Sequence, residues 1–373
     1  MLIVFAGHSI FLMSASTPPL VVRASDLAVN VCVPMFMCIS GMTMWYLLMH
    51  HPGEPRRTAY RYAKRALLLL AGCHIMITLG TWPLYWDKHS LLEVFWRRWH
   101  ITDAIAFCMF LAPVLIMKLD DTKRLLLAVA LLLGSRTIAS FWHPEATALG
   151  FVKELLFGSN DYDSTPVLLN IYPMVPFLAT FLLGTVLLPA LLRRLEEGGP
   201  KSAIMFLYRT SSVLLALGGI GVLAYLGLHK LLDHQRHADI LAFFYPSRVW
   251  TLLPLQCAVG ALFLIFIIWR YLSRKQYSRL DFVLTVFGRT SLFAYVAQYF
   301  VIQAIPAAAG CAGAVPMLIW APLVVLLAAV MFLVSFAYAR FRGYVAEGEY
   351  RAVQASVSGP PVSCQVLERA ANG

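Results

Sequence analysis

The sequence predicts an all-α, polytopic membrane bundle of about ten transmembrane helices. Three observations predict it. Of the 373 residues, 60% are hydrophobic and only 13% are charged, against roughly 25% charge in a soluble domain. The apolar residues gather in long runs of membrane-crossing length. Basic residues cluster after every second run, which gives the chain two distinguishable sides. The net charge of +11 would suggest nucleic acid in a soluble protein. Here it is the Lys/Arg excess of one set of loops, and no nucleic-acid partner is expected.

A crossing helix needs about 20 mostly apolar residues. The candidate runs lie at roughly 1–16, 27–49, 66–86, 101–118, 125–142, 166–192, 211–230, 249–272, 285–306 and 314–338. The first, "MLIVFAGHSIFLMS", is short for a span and carries His8 in its middle. It lacks a basic leader and is followed at once by prolines, so it does not read as a cleavable signal peptide. Arg56, Arg57, Arg61, Lys64 and Arg65 follow the second run; Lys118, Lys123 and Arg124 follow the fourth. Arg193, Arg194 and Lys201 follow the sixth, Arg270, Arg274, Lys275 and Arg279 the eighth, and Arg340 and Arg342 the tenth. The positive-inside rule places these loops, and with them both termini, in the cytoplasm. The opposite loops include "YWDKHSLLEVFWRRWH", an interfacial amphipathic segment, and "GSNDYDSTP", a polar turn.

Residues 1–340 thus form one transmembrane domain, and 341–373 a polar cytoplasmic tail that is expected to be disordered. The seven cysteines are scattered and form no CxxC pair, so neither a disulfide framework nor a zinc site is indicated. No Walker-type glycine loop, GxSxG elbow or metal-ligand cluster occurs, and no metal is expected.

Ionisable side chains in a bilayer are costly and mark bundle interiors or wet cavities. His8, His74, Asp103, Arg136 and Arg289 are such residues. His8 lies ~10 Å into its span at 1.5 Å per residue, and His74 at a similar depth in the third. Either imidazole can act as a general base near neutrality. Either can equally be a buried histidine bonded to a neighbouring carbonyl. Arg136 reads as a helix-bridging cation or as a functional one, Asp103 as an interfacial or capping carboxylate, and the tryptophans of 86–100 as an interface belt.

Several stretches together resemble the membrane acyltransferase superfamily, which includes the acyltransferase-3 and heparan-alpha-glucosaminide N-acetyltransferase-like proteins. "FAGHSIFLM" and "VPMFMCISGMTMWYLL" are similar to its first two helices, with His8 as the first-helix histidine and Phe36, Ser40 and Gly41 in the second. "YRYAKRALLLLAG" resembles the basic start of its third helix. "NIYPMVPFLATFLLGTVL" looks like a Pro-x-x-Pro helix ending in Leu-Gly, here Pro173, Pro176 and Gly184. Tyr245, Pro246 and Ser247 match the start of a late helix in the N-acetyltransferase-like branch, to which the Pro-rich sixth and eighth spans bring the chain nearer. Gly288, Arg289, Leu292 and Tyr295 match a further stretch, in which the family's terminal histidine is replaced by Gln298. The family's arginine, about ten residues ahead of the histidine, falls off the front of this chain, so Met1 is expected to lie downstream of the true start or the member to lack that arginine.

The resemblance implies a bacterial inner-membrane enzyme. It would move an acetyl or other acyl group from cytoplasmic acyl-CoA to a hydroxyl or amine of a glycan or lipid-linked acceptor. His8 is then the leading catalytic candidate, with His74 and Arg136 beside it. Arg61, Lys64, Arg65 and Arg289 are candidates for contact with the CoA phosphates. A transporter or flippase, and an inactive membrane partner of an envelope-polymer system, remain alternative readings. Transporters often show paired broken helices in related halves, and this sequence shows none.

Overall fold

The structure is a computed structural model. It describes Phe5, His8, Ser9 and Leu12, residues 19–50, 55–145, 147–158 and 172–232, the single positions 168, 240, 243 and 265, and residues 279–311 and 313–343. All regular elements among these residues are helical. Among the described residues six helices are long and apolar enough to cross a membrane, and the chain is an integral membrane protein. The first expected span is described only at four positions, and the eighth only at Ile265. The tail from 344, the loop from 159 and the Tyr245–Ser247 stretch lie outside the described residues.

The chain divides into two units, Val29–Ile265 and the combination of Met1–Ala28 with Phe266–Gly373. The larger begins within α1 (Pro19–His50). Next comes α2 (Pro55–Leu68), which runs through a π turn (Leu69–Cys73) into α3 (His74–Thr81) and a 3-10 turn (Trp82–Leu84). The short α4 (Leu91–Arg97) is N-capped by Ser90, whose hydroxyl accepts from the Glu93 N–H at 3.2 Å. It buries Val94 and leaves the apolar Leu92 and Trp96 exposed. Helices α5 (Ile101–Lys118) and α6 (Asp121–Phe141) follow, the latter capped by Asp120 through the Lys123 N–H at 2.8 Å. After α7 (Thr147–Phe157) comes α8 (Met174–Leu231).

At 58 residues α8 would measure about 87 Å, nearly three times the ~30 Å hydrocarbon core. It is two arms. Gly199 has φ 65° and ψ −167°, a backbone that glycine adopts readily, and Pro200 follows it. The break lies among Arg193, Arg194, Glu196, Glu197 and Lys201, where the sequence predicts a loop between spans. Each arm exceeds the about 20 residues a crossing needs.

The first arm of α8 is the centre of this unit. Helix α8 packs on α5 and α6, and the first-arm residues from Met174 to Thr185 are buried almost all round. Its backbone touches α1 without an intervening side chain. A Cβ on Gly184 would lie 2.0 Å from the Cys38 carbonyl oxygen, and one on Gly41 would lie 2.0 Å from that of Phe181. In a bilayer, helices associate by such close packing rather than by transfer from water, and small residues permit it. An ion cluster secures the neighbouring helix end: buried Arg124 donates to the Thr185 carbonyl at 3.2 Å and to Asp121, which also meets Arg193 at 2.9 Å.

The second unit contains α9 (Arg279–Arg289), α10 (Ser291–Gln298), a π turn (Tyr299–Ala304), α11 (Ile305–Ala308) and α12 (Met317–Phe341). Its core joins Phe5, Phe287, Ala294, Ile302 and Met331. Phe5 meets Phe287 edge-on at 5.6 Å, and Phe287 meets Phe332 at 5.8 Å. The N-terminal segment is tied to α12 and its approach by backbone acceptors. Leu12 O takes the Val315 N–H at 2.9 Å, and Ser9 O takes the Trp320 indole N–H at 3.1 Å. Most of α12 presents apolar side chains outward, Leu318, Val325 and Leu333 among them, as a lipid-facing helix does.

Candidate functional site

His8 stands half-buried in the second unit, against the segment 295–303. Its Nδ1 lies 3.0 Å from the amide Nε2 of Gln303. Its ring meets Tyr299 edge-on at 5.0 Å and Tyr295 at 6.2 Å, and the two tyrosine hydroxyls are hydrogen-bonded at 2.8 Å. Residues 295, 299 and 303, which meet the imidazole, are spaced by four. At 3.6 residues per turn a step of four overshoots one turn by about 40°, so over eight residues a regular α-helix would carry the third side chain well off the face of the first. The π turn Tyr299–Ala304 prevents this drift. Its i→i+5 bonds widen the turn, so each residue rotates less and Gln303 stays aligned with Tyr299.

The sequence singles out Gln298 as the residue replacing a family histidine. Gln298 is fully buried, and its amide makes no hydrogen bond among the described residues. A polar partner of His8 among the described residues is Gln303, five residues later, which the sequence reading missed. The signal was present: Gln303 is a lone polar residue in the apolar run "YFVIQAI", four residues beyond Tyr299.

His74 lies in the larger unit, at the first position of α3 just after the π turn Leu69–Cys73. It is 4% exposed and both ring nitrogens are engaged. Nε2 donates to the Phe95 carbonyl at 3.0 Å, and Nδ1 lies 2.8 Å from Asp103 Oδ2. The same carboxylate oxygen accepts the His100 N–H at 2.7 Å, so Asp103 caps the start of α5 while holding His74. Phe95, Trp99 and His100 surround the imidazole with ring centroids 4.7, 5.3 and 5.7 Å away. His74 thereby joins α3, α4 and α5. Next to this cluster, Arg98 donates to the Tyr85 hydroxyl and its guanidinium carbon lies 5.0 Å from the Tyr85 ring centre.

Arg136, on α6, is buried beside Ser135, Ala139 and Ser140, and its Nε donates to the Phe243 carbonyl at 2.9 Å. Arg56, Arg57, Arg61, Lys64 and Arg65 are exposed on α2, while Tyr62 and Ala66 of α2 and Leu69 of the following π turn are buried. Arg289 is exposed in the last turn of α9, in the unit that holds His8. Among the described residues no three His, Cys, Asp or Glu side chains converge as metal ligands.

Residues 1–340 match the acyltransferase-3 family, whose description is an acyltransferase domain. The chain belongs to that family. The match covers both units, and with the apolar helices it makes the protein a membrane acyltransferase. Of the two branches the sequence resembles, this is the acyltransferase-3 one. The nearer kinship with the N-acetyltransferase-like branch, expected from Pro173, Pro176 and Tyr245–Ser247, has no counterpart in the match. No curated protein and no solved structure matches the acyltransferase.

Proposed function

We propose that the protein transfers an acyl group from a cytoplasmic acyl-CoA, acetyl-CoA foremost, to a hydroxyl or amine of a glycan or lipid-linked acceptor, with His8 as general base. One observation carries this reading. In a chain matched over 1–340 to an acyltransferase family, the half-buried first-segment histidine is held through Nδ1 by a neutral amide at 3.0 Å. An imidazole is the side chain suited to take and return a proton near neutrality. In the proposed step His8 Nε2 takes the acceptor proton. The acceptor oxygen or nitrogen then bonds to the thioester carbonyl carbon, the C–S bond breaks, and the CoA sulfur leaves and takes up the proton. His74 fits this work less well, because both of its nitrogens serve α4 and α5.

Arg61, Lys64 and Arg65 of α2 and Arg289 on α9 are proposed to meet the CoA phosphates as point charges or forks. Arg136, with Nε on the Phe243 carbonyl, is read first as a bridge within its unit rather than as a carbonyl-polarising group. On this reading about ten spans cross a bacterial inner membrane, with both termini and the basic loops on the cytoplasmic side.

The test uses membrane vesicles carrying the full chain, supplied with acetyl-CoA labelled in its acetyl group. Label should enter the vesicles' glycan or lipid fraction with wild type, and fall by 10²–10⁴-fold with His8→Ala. Reversal of Arg61, Lys64 and Arg65 to Glu should raise the KM for acetyl-CoA. Incorporation by His8→Ala at the wild-type rate would overturn the assignment. Movement of the acceptor across the vesicle membrane without acetyl-CoA would favour a flippase.

A further inference from the structure

We propose that Gln303 is the positioning residue that sets which nitrogen of His8 carries the proton, holding Nδ1–H so that Nε2 acts as the base. This rests on the reading of His8 as the base and extends it to a second residue. The contact is direct, at 3.0 Å, and Gln303 is buried at 6% exposure. An amide offers both a donor and an acceptor, and its two ends are nearly the same size. With Nε2 of Gln303 against the ring, Nδ1 accepts and the neutral imidazole carries its proton on Nε2, the wrong tautomer for a base there. With the amide turned, Oε1 accepts from Nδ1–H and Nε2 keeps its lone pair.

Only the second arrangement survives the proton transfer. Once Nε2 takes the acceptor proton, both ring nitrogens are donors. Oε1 then still holds Nδ1–H, whereas an amide N–H facing it would lose its bond and face a like donor. Oε1 is buried and makes no hydrogen bond among the described residues, so the amide oxygen has this role to fill. The π turn that carries Gln303 supports the same reading, since it is what brings residue 303 onto the face of Tyr299.

A neutral orienter also differs in consequence from the carboxylate of a serine-protease-type triad. It fixes the tautomer without adding a charge that would stabilise the imidazolium. Among the described residues, the titratable groups in ring contact with His8 are Tyr295 and Tyr299. From the neighbouring helices, α9 places the Phe287 ring on Phe5 and α12 places the Trp320 indole on Ser9, and neither titrates. Gln303→Glu therefore places a carboxylate directly against His8 Nδ1 in place of a neutral amide.

The experiment labels histidine with nitrogen-15 in the full chain, with His8→Ala to assign the His8 signals. In wild type near neutral pH, Nδ1 of His8 should read as protonated and Nε2 as unprotonated. Gln303→Leu should mix the tautomers, and should lower kcat for labelled-acetyl incorporation from acetyl-CoA by roughly 10²-fold with KM for acetyl-CoA unchanged. Gln303→Glu should keep the tautomer and raise the His8 titration midpoint by about 1–3 pH units. A wild-type His8 protonated on Nε2, or a titration unmoved by Gln303→Glu, overturns the proposal. If wild type incorporates no acetyl label, the acyl-transfer reading fails, while the nitrogen signals still decide the role of Gln303.

Discussion

His8 and His74 are both histidines in apolar helical runs at similar expected depth, yet their neighbours differ in kind. His74 is set between a carboxylate and a carbonyl, 2.8 and 3.0 Å from its two nitrogens, and is almost fully buried. His8 is half-buried, with an uncharged amide on Nδ1 and two tyrosine edges around its ring. The first environment fixes a side chain and joins three helices. The second sets an uncharged amide against the ring, and it is the environment in which the proposed base stands. A π turn stands beside each: Leu69–Cys73 immediately precedes His74, and Tyr299–Ala304 carries Gln303. Burial of a histidine in a membrane helix therefore says little about its role, whereas the charge state of its partners says much.

Substitutions can break this contrast, beginning with the frame of the His74 unit. Gly184→Val places side-chain carbon against the Cys38 carbonyl, where even a Cβ would stand at 2.0 Å. Backbone cannot yield there, so folded protein should be lost, as read by protease resistance in the membrane. In the unit of His8, Gly288 is exposed on α9 and has nothing within 4 Å of its Cβ position. Gly288→Ala should leave folding intact or stabilise it by up to about 1 kcal/mol.

Next in size, Asp103→Ala strands His74 in its buried setting and removes the cap of α5. It should cost about 3–5 kcal/mol, measured by denaturant unfolding in micelles. Asp103→Asn, which can still accept from the His100 N–H, should cost less. A loss of acyl transfer with unchanged stability in Asp103→Ala would make the His74 pair chemical rather than structural.

How much of this was legible follows from which interactions are local. The span 101–118 coincides with α5 because its signals are contiguous: His100 and Asp103 at the start, Lys118 at the end. The loop between the sixth and seventh runs is legible as Gly199-Pro200 among charged residues, and the structure keeps it as a kink rather than a separate loop. The pairing of His74 with Asp103 was not legible, since 29 residues and a helix reversal separate them. Gln303 was harder still. Counting in steps of 3.6 sends it off the face of Tyr295, and only the π turn returns it. A resemblance to the family drew attention to Gln298 instead, which is buried away from any hydrogen bond among the described residues.

The smallest effect concerns acid. Glu93 of α4 is held below the usual carboxylate range by its hydrogen bond from Arg97, with His89 adding to it. Asp120 is likewise held down by Lys123, first through its ammonium and then through its backbone N–H. Both are depressed carboxylates, so what they contribute is complete above the ordinary carboxylate pKa and is lost as pH falls through their lower folded values. Below about pH 4, α4 and the first turn of α6 should exchange amide hydrogens faster, after correction for intrinsic rates, while the segment 291–304 around His8 should not change.

The central claim is that His8 performs the proton transfer and His74 holds helices together. It is tested most directly by the rate of acetyl-label incorporation from acetyl-CoA in vesicles, per folded protein, for His8→Ala and His74→Ala side by side. The expected result is a loss of at least about 10²-fold for His8→Ala at unchanged folded amount, with His74→Ala losing folded protein but keeping activity per folded molecule. The reverse pattern, with transfer intact in His8→Ala and abolished in well-folded His74→Ala, would contradict it.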